Sequence, residues 1–229
     1  TGGKKMSSVD RTFLEQMASS ERFSDLRIDH YVGDIGSDGQ DKNTAIMVFK
    51  CEGGHAIATI QGTNGKVEDW KTNAQFNGSS PTAEEQYVAS IINGYANDYD
   101  SIDITGHSQG GREAITSALL MSKENQSKIG RVVSNDGPGY SKDFLANYSS
   151  QIDAVESKVI NIRPSKSYVG ELLNPIGDVQ YVQLITVVDS KNGETSSVNS
   201  HLSTTWYVDE NGNYVLADGH DVSLTSISE

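Results

Sequence analysis

The stretch SIDITGHSQGG at residues 101–111 constrains the fold of this chain more than any other. It predicts a short strand that enters a sharp turn, with Ser108 at the apex and a helix directly after it. Such a turn crowds its neighbours, so only residues without a Cβ fit two positions before and after the serine, where Gly106 and Gly110 stand. The pattern is that of a nucleophile elbow.

The sequence on both sides of this turn agrees with a strand–turn–helix unit. The motif alone does not identify an elbow, because roughly one chain in ten of this length carries Gly-x-Ser-x-Gly by chance. Residues 80–85 combine capping residues, a proline and early carboxylates, which predicts a helix that continues to about residue 97. Apolar residues at helical spacing after Ser108 predict a second helix over residues 110–123.

Strand and helix patterns alternate along the rest of the chain, which predicts an α/β sheet. A packing helix is expected over residues 9–23. Further strands are expected at residues 44–51, 55–60, 131–135, 158–162 and 181–188, and a last hairpin at residues 204–217. The first two strands form a hairpin around residues 52–54. Composition does not shift along the chain, so one domain over residues 1–229 is expected, with residues 1–8 a flexible or expression-derived N-terminus.

A nucleophilic serine needs a base, and the elbow predicts an acid and then a histidine downstream. Only His201 and His220 follow Ser108. His201 follows the strand at residues 181–188 and a polar loop, whereas His220 lies in a polar tail, so His201 is the favoured base. His107 points away from Ser108 in an elbow and is interpreted as a packing or hydrogen-bonding residue.

The favoured acid is Asp136, which follows the strand at residues 131–135 and precedes Gly137-Pro138-Gly139. The carboxyl end of a strand in an open α/β sheet is where catalytic groups gather. An aspartate before glycine is also a common turn residue. Asp153, Asp178 and Asp189 therefore remain alternatives.

Two other segments have a structural and a functional interpretation. Thr63 follows the strand at residues 55–60 and belongs either to a polar loop or to an oxyanion hole completed by the amide of Gln109 at the start of the elbow helix. The loop at residues 165–178 belongs either to the core or to the wall of an apolar pocket, and the wall is favoured because this loop leaves the same sheet edge as Asp136. Its apolar residues include Tyr168, Val169, Leu172 and Leu173.

Composition argues against several classes of partner. The chain has 18 Lys and Arg against 31 Asp and Glu, a net charge of −13, and no basic cluster, which argues against nucleic acid and against anionic lipid surfaces. No apolar run approaches the ~20 residues of a membrane-spanning helix, so stable membrane insertion is not expected. Cys51 is the only cysteine, which excludes an intrachain disulfide and a thiolate metal cluster. The compartment, cytoplasmic or secreted with a signal removed, and the oligomeric state stay open.

Several motifs in a fixed order resemble the bacterial Mbeg1-like family of lipase-like proteins in the α/β-hydrolase superfamily, near the class 3 (fungal-type) lipases. The resemblance covers about residues 44–207 and rests on residues 61–63, 69–70, 106–111, 135–139 and 167–170, and on His201 with Trp206. It implies an α/β-hydrolase fold, Ser108 as nucleophile, His201 as base and the segment at Thr63 as part of the oxyanion hole. This chain has Gln61-Gly62-Thr63 where such lipases often have Arg-Gly-Thr. Class 3 lipases carry their acid after the next strand, where this chain has serines at 165 and 167.

These features predict a serine hydrolase that cleaves a lipid or short acyl ester without a metal or an organic cofactor. The alternatives are a non-catalytic lipid- or peptide-binding module on the same fold, and an acyltransferase or peptidase that uses the same residues. The fold and the three residues do not fix the substrate.

Overall fold

A computed structural model describes residues 8–23, 25–33, 45–62, 77–185 and 200–219. At its centre is a seven-stranded sheet whose strands lie side by side in chain order. The strands are β1 (Arg27–Val32), β2 (Ile46–Lys50), β3 (His55–Ile60), β4 (Ser101–His107), β5 (Ile129–Asn135), β6 (Val159–Pro164) and β7 (Asp178–Val182). The first two pairings are antiparallel and the other four are parallel. The predicted α/β sheet with a hairpin near the N-terminus is therefore confirmed.

Helix α1 (Ser8–Ser19) precedes β1. The helices that connect parallel strands are α2 (Ala83–Tyr95), α3 (Gln109–Leu120), α4 (Lys123–Lys128), α5 (Lys142–Asn147) and α6 (Ser149–Val155). Helix α2 begins with a capping box in which Thr82 and Glu85 satisfy each other's backbone amides. The main core lies between the sheet and α2, α3, α5 and α6, and a smaller cluster contains Ile162, Val182 and Trp206.

Strand register brings the carboxyl ends of the central strands to one sheet edge. Ile60 at the end of β3 pairs with Gly106, and His107 at the end of β4 pairs with Asn135. Asn135 in turn pairs with Ile162 on β6. Side chains that follow these positions therefore meet, although they are far apart in sequence.

Two elements differ from the expected ones. Strand β7 ends at Val182, not at residue 188. After Val182 the backbone pairs with the C-terminal segment and no longer with β6, because the Gln183 amide donates to Val215 O at 2.9 Å. Helix α1 ends at Ser19, and Leu14 on it is 48% exposed, so this side chain does not pack in the core as expected. Periodicity identifies apolar positions but not the partner that covers them.

A buried ion pair ties the central helices together. The Arg112 Nε on α3 donates to Glu85 Oε1 on α2 at 2.7 Å, and the two side chains are 1% and 3% exposed. Arg112 Nη1 donates to the carbonyl of Gly139, and its guanidinium lies 4.1 Å from the ring centroid of Tyr140. Arg112 therefore connects the helix that follows Ser108 to the loop that follows β5.

Within the described part of the chain, every helix is too short or too polar to cross a membrane.

Candidate active site

The turn between β4 and α3 has the backbone strain of a nucleophile elbow. Ser108 has φ 64° and ψ −131°, a conformation that costs free energy for any residue with a Cβ. A Cβ at Gly106 would collide with the Gly110 carbonyl, and one at Gly110 with the Ile60 carbonyl. The strand, turn, helix and glycine positions are those expected from the sequence.

Gly62 packs directly on this elbow. A Cβ at Gly62 would come within 3.1 Å of the Ser108 Cβ and 3.5 Å of the backbone nitrogen of Gln109. Gln109 is the first residue of α3, so its amide lies at the positive end of the helix dipole. Thr63, the expected second oxyanion donor, lies outside the described residues, as do Asp69 and Trp70. Gly62, the last described residue before Thr63, packs against Ser108.

The His201 ring connects Ser108 to Asp136. Its Nε2 lies 2.9 Å from Ser108 Oγ, and its Nδ1 lies 2.6 Å from Asp136 Oδ2. Because a carboxylate only accepts, neutral His201 carries its proton on Nδ1, which leaves Nε2 to accept from the serine hydroxyl. The three residues are 6%, 3% and 1% exposed, in the order Ser108, His201 and Asp136. The structure thus brings together the three residues that the sequence favours.

Asp136 is held by the ends of two strands. It has φ 51°, which aspartate tolerates better than most residues, and its amide donates to Ile162 O at 2.7 Å. The Gly170 amide donates to Asp136 Oδ1 at 3.0 Å, and the Ser167 hydroxyl donates to Oδ2. The carboxylate therefore accepts hydrogen bonds from His201, Ser167 and Gly170, which compensate for its lost hydration.

Two of the alternative residues lie away from this site, and the other two lie outside the described residues. Asp153 is exposed on α6, and Asp178 is exposed at the start of β7, the end of the strand opposite to the site. Asp189 and His220 lie outside the described residues.

His107 supports the loop that carries His201. Its Nε2 donates to the His201 carbonyl at 2.7 Å, and the two rings lie 4.5 Å apart. Burial, followed by the positive charge that His201 can carry, lowers the pKa of His107. His107 therefore stays neutral near pH 7 and packs and donates as the sequence predicts.

The loop expected to line a pocket meets the site from the β6 side. Val169 is fully buried and Tyr168 is 9% exposed, whereas Leu173 is 37% exposed. The Leu172 carbonyl accepts a hydrogen bond from the Gly139 amide at 2.7 Å. Val169 is thus buried as a core residue is, and the lining of a pocket by Tyr168, Leu172 and Leu173 stays a prediction.

A buried carboxyl group lies beside Gln109. Gln109 Nε2 donates to Glu113 Oε1 at 3.1 Å and to Glu84 Oε2 at 3.4 Å, while Glu113 Oε2 has no hydrogen-bond partner among the described residues. Burial, then the negative charge of Glu84, raises the pKa of Glu113 from 4.5 to about 8. Glu113 is 1% exposed.

Replacing Glu113 by glutamine is expected to make the protein more stable than wild type at alkaline pH. The folded state holds the Glu113 proton up to a pKa of about 8, so its stabilising effect is complete below pH 4.5 and is lost as pH rises to about 8. Glutamine keeps the acceptor for Gln109 and carries no charge. The two proteins should be equally stable near pH 4.5 and differ by a few kcal/mol, at most about 1.4 per pH unit, above pH 8. Urea denaturation at a series of pH values measures this.

Glu52→Gln, at an exposed position, is the matched control and should follow the wild-type curve. A constant offset between Glu113→Gln and wild type at every pH would contradict the raised pKa.

No cluster of three or more histidine, cysteine or acidic side chains suited to a metal ion occurs among the described residues.

Three contacts around the site do not follow from the sequence. Residues 167–170 belong to the motifs that carry the family resemblance, but nothing in them predicts that the Ser167 hydroxyl and the Gly170 amide donate to Asp136. The contact between Gln109 and Glu113 is likewise not predicted. Each contact depends on a loop or a helix face meeting the site in three dimensions.

Comparison with known proteins places this fold among lipases. Lipase II from Rhizopus niveus aligns with TM-score 0.53 and 15% identity over 81% of this chain and 79% of that chain. A triacylglycerol lipase whose catalytic centre is formed by a serine protease triad aligns with TM-score 0.50 and 17% identity over 79% of this chain and 77% of that chain. At these identities the likeness shows a shared fold, the α/β-hydrolase fold that the sequence predicts.

M37 lipase aligns with TM-score 0.48 and 16% identity over 73% of this chain, which spans only 64% of that lipase. No curated protein matches the chain. The family model described as Mbeg1-like matches residues 17–229, nearly the whole chain. The chain therefore belongs to the Mbeg1-like family.

Proposed function

We propose that this protein is a serine hydrolase that cleaves carboxylic esters through an acyl-enzyme intermediate. One observation carries the proposal: the His201 ring lies within hydrogen-bond distance of both Ser108 Oγ, at 2.9 Å, and Asp136 Oδ2, at 2.6 Å. Ser108 and His201 are 93 residues apart in sequence, and His201 and Asp136 are 65 apart. An arrangement of nucleophile, base and orienting acid is what activation of a serine requires.

Ser108 Oγ attacks the ester carbonyl carbon while its proton passes to His201 Nε2. Asp136 keeps the His201 ring oriented and stabilises the imidazolium that forms. His201 then gives the proton to the departing alcohol, and the acyl group stays on Ser108. In the second half of the reaction, His201 takes a proton from water, which attacks the carbonyl carbon of the acyl-enzyme. His201 then returns that proton to Ser108 Oγ as the bond between Oγ and the acyl carbon breaks, which releases the acid and restores the serine.

The tetrahedral intermediate carries a negative oxygen, and two donors must converge on it. The Gln109 amide is one proposed donor, since it follows the nucleophile at the start of α3. Thr63 is the proposed second donor, supported by the packing of its neighbour Gly62 against Ser108.

An ester is the proposed substrate because the proteins of similar fold named above are lipases, one of them a triacylglycerol lipase. Fold alone does not select a substrate, so acyl-chain length and the nature of the alcohol are open to measurement.

A fluorophosphonate probe is expected to label wild-type protein on Ser108 and to leave Ser108→Ala unlabelled. The probe reacts with a serine only when a base activates it. Ser90→Ala changes an exposed serine on α2 and should label like wild type. Mass spectrometry of the labelled peptide identifies the residue.

Equal labelling of wild type and Ser108→Ala would refute the proposal. A panel of nitrophenyl esters of increasing chain length, assayed with and without acceptor alcohols, then separates hydrolysis from acyl transfer. Protein that leaves every ester intact but binds a ligand at Ser108 would be a binding module instead.

A further inference from the structure

The turn after β6 contributes a side chain to the acid of the site. Ser167 is 1% exposed, and its hydroxyl donates to Asp136 Oδ2, the same oxygen that His201 Nδ1 contacts. The Val169 amide donates to Ser167 Oγ at 3.2 Å, which directs the hydroxyl proton toward Asp136. Three hydrogen bonds thus link the Val169 amide to Ser167, Ser167 to Asp136, and Asp136 to the His201 ring.

The backbone holds this turn firmly against Asp136. The Ser167 amide donates to Pro164 O at 3.1 Å, and the Gly170 amide donates to Asp136 Oδ1 at 3.0 Å. A Cβ on Gly170 would come within 2.6 Å of that oxygen, so the close approach requires glycine here. Both carboxylate oxygens are therefore fixed by the same turn.

We propose that Ser167 is a positioning residue for Asp136, and that position 167 is a second place from which a carboxylate can orient His201. The proposal rests on the proposed function. Ser167 Oγ and His201 Nδ1 both bond to one point, Asp136 Oδ2. A carboxyl group at 167 would reach farther than the hydroxyl, toward the space that the Asp136 side chain occupies.

The first test replaces Ser167 by alanine and follows hydrolysis of p-nitrophenyl butyrate. Loss of one hydrogen bond to a charged group should lower kcat about 10- to 100-fold, while KM stays within about twofold because Ser167 lies behind the acid. Ser165→Ala, two residues earlier in the same turn, is the matched control and should retain wild-type kcat. A kcat for Ser167→Ala within about twofold of wild type would overturn the positioning role.

The second test moves the carboxylate. Asp136→Gly removes the acid without backbone strain, because glycine accepts φ 51°, and should lower kcat about 10³- to 10⁴-fold. Asp136→Gly/Ser167→Asp should recover at least about tenfold of that loss, whereas Asp136→Gly/Ser167→Asn, of the same shape without the charge, should not. Equal activity of the two double variants would overturn the second part of the proposal.

Fluorophosphonate labelling of wild type separates this inference from the proposed function. Protein that labels on Ser108 but shows no difference between the two double variants refutes only the role of position 167. Protein that does not label refutes the proposed function. Circular dichroism and urea denaturation of each variant verify that both double variants are folded under the assay conditions, so that their activities can be compared directly.

Discussion

Replacing either Ser108 or His201 by alanine is expected to lower kcat/KM for a nitrophenyl ester by about 10⁴- to 10⁶-fold, and replacing both should lower it no further. The hydroxyl and the imidazole are 2.9 Å apart and act as one unit, because the nucleophile forms only when the base takes its proton. Losing either partner therefore removes the whole contribution. Single-turnover kinetics on the three variants measure the losses.

The double variant distinguishes a coupled pair of residues from two residues that act independently. Losses that multiply in the double variant would mean that the two residues act independently, which would contradict the proposed triad. His55→Ala is a suitable control, since His55 bonds to Ser101 Oγ at the amino end of the parallel strands and should leave kcat/KM unchanged. Any residual activity would be assigned to the proposed oxyanion donors and to substrate binding.

Replacing Arg112 by methionine is expected to lower the free energy of unfolding by about 3–5 kcal/mol, a large part of the 5–15 kcal/mol typical of a domain. The change leaves the Glu85 carboxylate 3% exposed and without its cation. It also removes the hydrogen bond to the Gly139 carbonyl and the contact with the Tyr140 ring. Urea denaturation measures the loss.

Two further variants separate charge from packing. In Arg112→Met/Glu85→Gln the buried charge is gone, so the double variant should be more stable than Arg112→Met alone. Arg131→Met breaks an ion pair with Asp103 whose arginine side chain is 69% exposed, and should change stability by about 1 kcal/mol or less. Equal effects of Arg112→Met and Arg131→Met would contradict the structural role assigned to the buried pair.

Arg112 also links stability to the site. It joins α3, which begins one residue after Ser108, to the loop that begins with Asp136. Some loss of activity in Arg112→Met is therefore expected even under conditions where the variant is folded.

Part of the site can be predicted from interactions between residues close together in sequence. The two glycines around Ser108 and the strand and helix that flank it are signals within a few residues, and each depends on backbone sterics alone. The capping box at Thr82 and Glu85 is local in the same way. Order along the chain and position at strand ends favour His201 and Asp136, but the distance between them does not follow from their spacing.

The elbow, the alternation of strands and helices, and the short set of residues able to serve as base and acid can all be identified from local sequence patterns. These follow from periodicity and steric rules that act over a few residues. The choice of the aspartate that faces His201 depends on the folded chain, because β5 and β6 align their ends and the turn containing Ser167 and Gly170 packs over Asp136. Contacts between residues far apart in sequence depend on how strands pair and loops pack, and no local pattern encodes those distances.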